Sequence, residues 1–148
     1  VKRTGLFYIV LVVVMGWVAA CGEEEATYPS ERIAVNELKA ENELDQEQIV
    51  DRISVRQHTL IIADHNGVTA YVIEQKSSED FTWHQPAETV ESEDVERGND
   101  HVEELRVAED IRLEFTVGEL SNHHTDEPVP GFCGEVETQE MYYCVKDA

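Results

Sequence analysis

The stretch Ile53–Glu74, ISVRQHTLIIADHNGVTAYVIE, decides how this chain folds. Most of its apolar residues are β-branched or aromatic, a composition that suits a pleated surface better than a helix. In its middle stands His65-Asn66-Gly67, and Asn and Gly tolerate the positive φ of a tight turn between antiparallel strands. The segment therefore reads as a β-hairpin, with ISVRQHTLIIAD entering the turn and VTAYVIE leaving it.

Downstream, residues 75–104 are polar and acidic, interrupted only by Phe81, Trp83, Val90, Val95 and Val102 and containing Pro86 and Gly98. A structureless loop of that length is unusual in a compact domain, which predicts a short strand around Phe81–Trp83. DIRLEFTVG then alternates, with Ile111, Leu113, Phe115 and Val117 on one face and Arg112, Glu114 and Thr116 on the other, as a half-buried strand does. A long connection with Pro128 and Pro130 follows over Glu119–Gly131, and EMYYCVK makes a last strand. Upstream, Pro29 and Ser30 open a helix: Ser30 can cap it, Glu31 suits its positive end, and Ile33, Leu38, Ala40 and Leu44 form its apolar face. The fold class is thus mainly β: one N-terminal helix and five or six antiparallel strands, as a small barrel or sandwich. No internal repeat is present.

The first twenty residues have a different plan. Lys2 and Arg3 give a positive start, Leu6–Val14 is apolar, and GWVAAC closes the run with small residues, the layout of a cleaved secretory signal peptide. The uncharged run from Gly5 to Ala20 falls short of the roughly 20 residues of a spanning helix. Val18-Ala19-Ala20-Cys21 resembles the lipobox of bacterial lipoproteins. That resemblance implies that the Cys21 sulfur carries a diacylglycerol, that the peptide is cut just before Cys21, and that the new amine is acylated; two or more chains hold a protein stably to a bilayer. It divides the chain into a signal peptide at 1–20, an acidic linker at 21–29 and one small β-rich domain at 30–148. Gly22, not aspartate, follows the cysteine, which favours an outer-membrane destination, and the acidic run behind it resembles an export signal to the outer surface.

A fainter resemblance lies in NELKAENELDQEQIVD, residues Asn36–Asp51, ahead of the hairpin. Asn36, Glu37, Ala40, Glu41 and Ile49 match the entry segment of OB-fold lipoproteins of the tRNA-anti-like type. Leu44 stands where that family has an aromatic and Gln46 where it has a glycine. This resemblance implies a barrel.

With Cys21 assigned to lipid, Cys133 and Cys144 are an even pair in a chain exported past the reducing cytoplasm, and we expect a disulfide between them, worth about 3 kcal/mol on the loop-entropy model. Two buried free thiols are the alternative. Neither a C-x-x-C spacing nor paired histidines accompany them, which speaks against a zinc site there.

The formal net charge of −21 over 148 residues repels phosphate backbones, so no nucleic-acid partner is expected. Such a surface is tolerated best in a salty medium, where screening removes self-repulsion. The chain has no G-x-S-x-G elbow, no H-E-x-x-H and no P-loop, and an EF-hand set on Gly98 and Glu104 puts Val95 and Arg97 at ligand positions. We therefore expect no catalytic residues, no resident metal and no cofactor. Trp83-His84 and Tyr142-Tyr143 are candidates for an aromatic platform facing a glycan or a protein, against the alternative that they are core. The functional expectation is a non-catalytic binding or structural module of the bacterial cell envelope, held to the membrane by Cys21, with another envelope protein or a glycan as partner. Its rival is a metal-binding or enzymatic role for the SNHHTDE loop, where His123, His124, Asp126 and Glu127 cluster, with His84 and His101 elsewhere in the acidic stretch.

Overall fold

The computed structural model describes residues 25–95, 99–123 and 131–148. The predicted hairpin is there: β2 (His58–Asp64) and β3 (Val68–Ser77) pair antiparallel across His65–Gly67. Asn66 and Gly67 both take positive φ, 57° and 148°. Gly67 is needed twice over, because a side chain there would run into the Val90 carbonyl, and Val68 and Val90 exchange backbone hydrogen bonds of 2.9 Å.

The segment entering the turn is not one strand. It breaks at Arg56-Gln57, where Arg56 adopts a left-handed φ of 54°, and the part before the break joins an upstream run as β1 (Ile49–Val55). With β4 (Asp80–His84) these strands form a meander, β1-β2-β3-β4. A second sheet holds β5 (His101–Ala108), β6 (Ile111–Glu119), β7 (Phe132–Val136) and β8 (Met141–Asp147) in the order β5-β6-β8-β7, with every pairing antiparallel. Eight strands thus replace the expected five or six. The additional ones are β1, β5 and β7, and all three lie at sheet edges, where an apolar pattern is least demanded.

The sheets stack face to face. Leu60, Ile62, Ala70 and Val72 of the first meet Leu105, Leu113, Phe115, Val117, Tyr143 and Val145 of the second in the principal core. Among the described residues no closed barrel forms, so the sandwich alternative holds there and the barrel implied by the OB-fold resemblance does not. The physical reason is that no strand of one sheet pairs with a strand of the other: the end strands, β1 and β4 in one and β5 and β7 in the other, each pair with one strand only among the described residues. Cross-links fix the stacking. The Tyr143 hydroxyl donates to Asp51 on β1, Gln139 Nε2 donates to Asp64 at 2.8 Å, and the His84 ring meets the Arg106 carbonyl at 3.0 Å.

The other face of the first sheet is covered by α1 (Glu31–Glu41), capped as expected by Ser30, whose Oγ accepts the Ile33 N–H at 3.3 Å. Its buried face is Ala34, Val35 and Leu38, joined by Leu44, which pack on Ile61, Ala63, Tyr71 and Ile73. Ile33 is 37% exposed and Ala40 is also exposed, contrary to the face read from sequence. The adjacent pair Ala34-Val35 is buried against the sheet instead. The folded body reaches back to Tyr28, which exchanges backbone hydrogen bonds with Phe81 at the start of β4.

Candidate functional site

Cys21 and the loop residues His124, Asp126 and Glu127 lie outside the described residues. Of the other sequence candidates, Tyr143 is fully buried in the principal core. Burial, and then its bond to Asp51, raises its pKa above the ordinary tyrosine value. Trp83 packs into the helix-side core with its ring edge on Tyr71, the centroids 6.2 Å apart. Neighbouring residues in a strand point to opposite faces, so His84 turns toward the second sheet while Trp83 turns toward the helix, and Tyr142 faces out while Tyr143 faces in. Neither dipeptide forms a joint aromatic platform.

Two arrangements have the makings of a site. The first lies on the outer face of the second sheet. Cys133 of β7 and Cys144 of β8 are direct cross-strand partners, with Cα atoms 4.1 Å apart and sulfurs at disulfide-bonding distance. Beside them the His123 ring, placed by the 3-10 turn Leu120–Asn122, stacks on Tyr142 with centroids 4.6 Å apart and planes 7° off parallel. Its Nδ1 is buried, has no hydrogen-bond partner among the described residues and stands 3.6 Å from a Glu135 carboxylate oxygen. Ligand atoms of His123, Cys133 and Cys144 lie within 4.8 Å of one another. Tyr142 lies across Gly118, its β6 partner, where a side chain would displace the ring. Burial and a hydrogen bond to Asp100 raise the pKa of its hydroxyl.

The second arrangement is a cleft of about 640 Å³ at one end of the sandwich, where the β1–β2 turn, the β5–β6 turn, the start of β7 and the end of β8 meet. Ile53, Val55, Ile111, Leu113, Phe132 and Val145 give it an apolar floor, and Phe132 is 41% exposed. Its lining carries both signs, Arg56, Arg112 and Lys146 against Asp110 and Asp147; Arg56 pairs with Asp110 at 3.4 Å, while Lys146 and Arg112 pair with Glu114 at 2.9 Å and Glu104 at 3.3 Å outside it. These pairs are largely exposed and contribute little to stability. Among the described residues β1 and β7 are sheet edges, and where they flank the cleft they offer backbone donors and acceptors.

Sequence reasoning did not find the cleft. Its lining comes from four segments far apart in the chain, and no single one carries a signal beyond the apolar Phe132 after Gly131. Among the described residues no helix is long and apolar enough to cross a membrane. Comparison of the chain with known protein families, curated proteins and solved structures finds no match.

Proposed function

We propose that this chain is a lipid-anchored, non-catalytic binding module of the bacterial cell envelope, and that it holds an extended apolar segment of another envelope protein in the cleft between β1 and β7. The observation that carries the reading is the pairing of an apolar floor with two open strand edges. Added strands gain affinity from main-chain hydrogen bonds and specificity from pockets for alternate side chains. Ile53, Val55 and Phe132 are placed to supply such pockets, and the mixed rim leaves selectivity to the floor. The lipobox-like Val18–Cys21 supports the anchor. Tyr28 enters the fold beside Phe81, at the same end of the first sheet as the β1–β2 turn. Tyr28 lies seven positions after Cys21, a reach of at most about 24 Å for an extended chain. The anchor therefore keeps the cleft end of the first sheet within that reach of the membrane.

The test is selection from a displayed library of extended peptides on residues 21–148 carrying Cys21→Ser. The reading expects enrichment of alternating apolar peptides that compete with one another, bind the Val102→Asp chain unchanged and lose at least about tenfold in affinity on Val55→Asp. Peptides that bind Val55→Asp as well as the parent, or no enrichment at all, contradict it.

A further inference from the structure

We propose that reduction of the Cys133–Cys144 pair turns the outer face of the second sheet into a zinc site, with the two cysteine sulfurs, a His123 ring nitrogen and a Glu135 carboxylate oxygen as ligands. Sequence spacing speaks against a metal here, because the cysteines are eleven positions apart, but antiparallel pairing makes them direct neighbours. The same strand pairing places Glu135 opposite Tyr142, two positions along the same face, and His123 comes to lie over Tyr142 between them.

That set has the chemistry of a zinc site. Two thiolates, one imidazole and one carboxylate make a four-coordinate shell, with zinc bonds of about 2.3 Å to sulfur and about 2.0 to 2.2 Å to nitrogen and oxygen. In a tetrahedron such bonds separate ligand atoms by about 3.3 to 3.8 Å, and those of His123, Cys133 and Cys144 already lie within 4.8 Å of one another. A second observation points the same way. The His123 Nδ1 is buried with no hydrogen-bond partner among the described residues, 3.6 Å from Glu135, a distance too long for a hydrogen bond. A buried nitrogen in that condition is costly, and a cation between it and the carboxylate would satisfy both. The stack on Tyr142 fixes the plane of the imidazole in advance, so little ordering remains to be done on binding.

The joined sulfurs are not thiolates and offer zinc no useful ligand, so the site exists only in the reduced chain. The reductant is a dithiol. One of its thiolates attacks a sulfur of the pair, its second thiol displaces the mixed disulfide, and the dithiol leaves as its own disulfide, having given two electrons and two protons to Cys133 and Cys144. Zinc then binds both as thiolates and releases two protons to solvent. Zinc loss followed by two-electron oxidation with a disulfide oxidant returns the cross-strand bond. The outer face thereby has two exclusive closures, one covalent and one through metal, that hold β7 against β8 in different redox conditions.

The experiment uses residues 21–148 with Cys21→Ser, so that only the two sheet cysteines remain. The chain is reduced with a phosphine, freed of it under argon and titrated with zinc against a chromophoric chelator. The expected result is one zinc per chain, held at least about a hundredfold tighter by the reduced than by the oxidised form, and a cobalt-loaded form with a sulfur-to-metal charge-transfer band. His123→Phe keeps the ring stack but removes the nitrogen and should weaken zinc by at least about tenfold while the charge-transfer band persists. Cys133→Ser should abolish both. A reduced chain that takes up no stoichiometric zinc, an oxidised chain that binds as tightly, or a Cys133→Ser chain that keeps the affinity overturns the proposal.

Discussion

The two sheets have the same number of strands and the same pairing sense, yet their outer faces are opposites. The face of the first sheet lies under α1, so Ile61, Ala63, Tyr71 and Ile73 are as buried as the residues facing the sandwich core. Among the described residues the face of the second has no helix on it and presents Arg112, Glu114, Thr116 and Lys146, with Val102 at 55% exposure. The difference explains two sequence patterns. β2 and β3 read as near-continuous apolar runs because both faces are covered, whereas β6 alternates because one face is wet. It also explains why the cysteine pair sits where it does. The covered sheet is held by burial on both sides, and the bare sheet, whose short edge strand β7 has little apolar surface to bury, is clamped by a covalent cross-strand contact.

The largest test of that contrast is a charge on each face. Ile61→Asp puts a carboxylate under the helix with no partner and should cost more than about 4 kcal/mol, enough to unfold most small domains. Circular dichroism of the purified chain reads it directly, and a folded Ile61→Asp protein would mean that α1 does not seal the first sheet. Next, Leu38→Ala removes the centre of the helix face and should cost about 3 kcal/mol in urea unfolding, as a transfer and a cavity contribution together. Reducing the cysteine pair, or replacing it by Cys133→Ala with Cys144→Ala, should cost about 2.8 kcal/mol for an eleven-residue separation. Unchanged urea midpoints with and without reductant would show that the bare sheet needs no clamp.

Alkaline pH acts on the two tyrosines that back the second sheet from opposite faces. Both have pKa values raised by burial, so above about pH 10, the ordinary tyrosine value, the unfolded chain loses protons that the folded chain keeps. Stability is therefore complete below that pH and falls as pH rises, by up to about 1.4 kcal/mol per pH unit for each tyrosine. Unfolding midpoints measured from neutral to strongly alkaline pH should follow this slope, and Tyr143→Phe should halve it. A flat profile would place both hydroxyls in water. The smallest effect belongs to Val102→Asp on the bare face, which should change stability by no more than about 0.5 kcal/mol.

How much of this was legible follows from the same contrast. The β2–β3 turn announced itself through Asn66-Gly67, and β4, β6 and β8 through Phe81-Thr82-Trp83, DIRLEFTVG and EMYYCVK, because a strand with a defined buried face must show it. β5 and the Ile49–Arg52 part of β1 did not, since edge strands tolerate Asp51 and Arg52 in the one and Glu103 and Glu104 in the other. The turn at Arg56-Gln57 had no signal either, because arginine seldom takes a left-handed φ. On the helix, the cap was readable from Ser30, but the buried face was not, since it is chosen by the sheet beneath it. The cysteine pair could be expected from parity once Cys21 was set aside. Its neighbours could not: the sequence groups His123 with His124, Asp126 and Glu127, which lie outside the described residues, while Glu135 and Tyr142 reach it only through the β7–β8 register.

The anchored module is tested by the intact mass of the chain purified from membranes of a bacterial host, beside a Cys21→Ala variant. The account predicts a parent mass equal to residues 21–148 plus a diacylglycerol and an amide-linked acyl chain, less two hydrogens for the joined Cys133 and Cys144, and a variant that carries no lipid. A parent chain recovered without lipid would contradict the anchor and leave the cleft as a binding surface on an untethered protein.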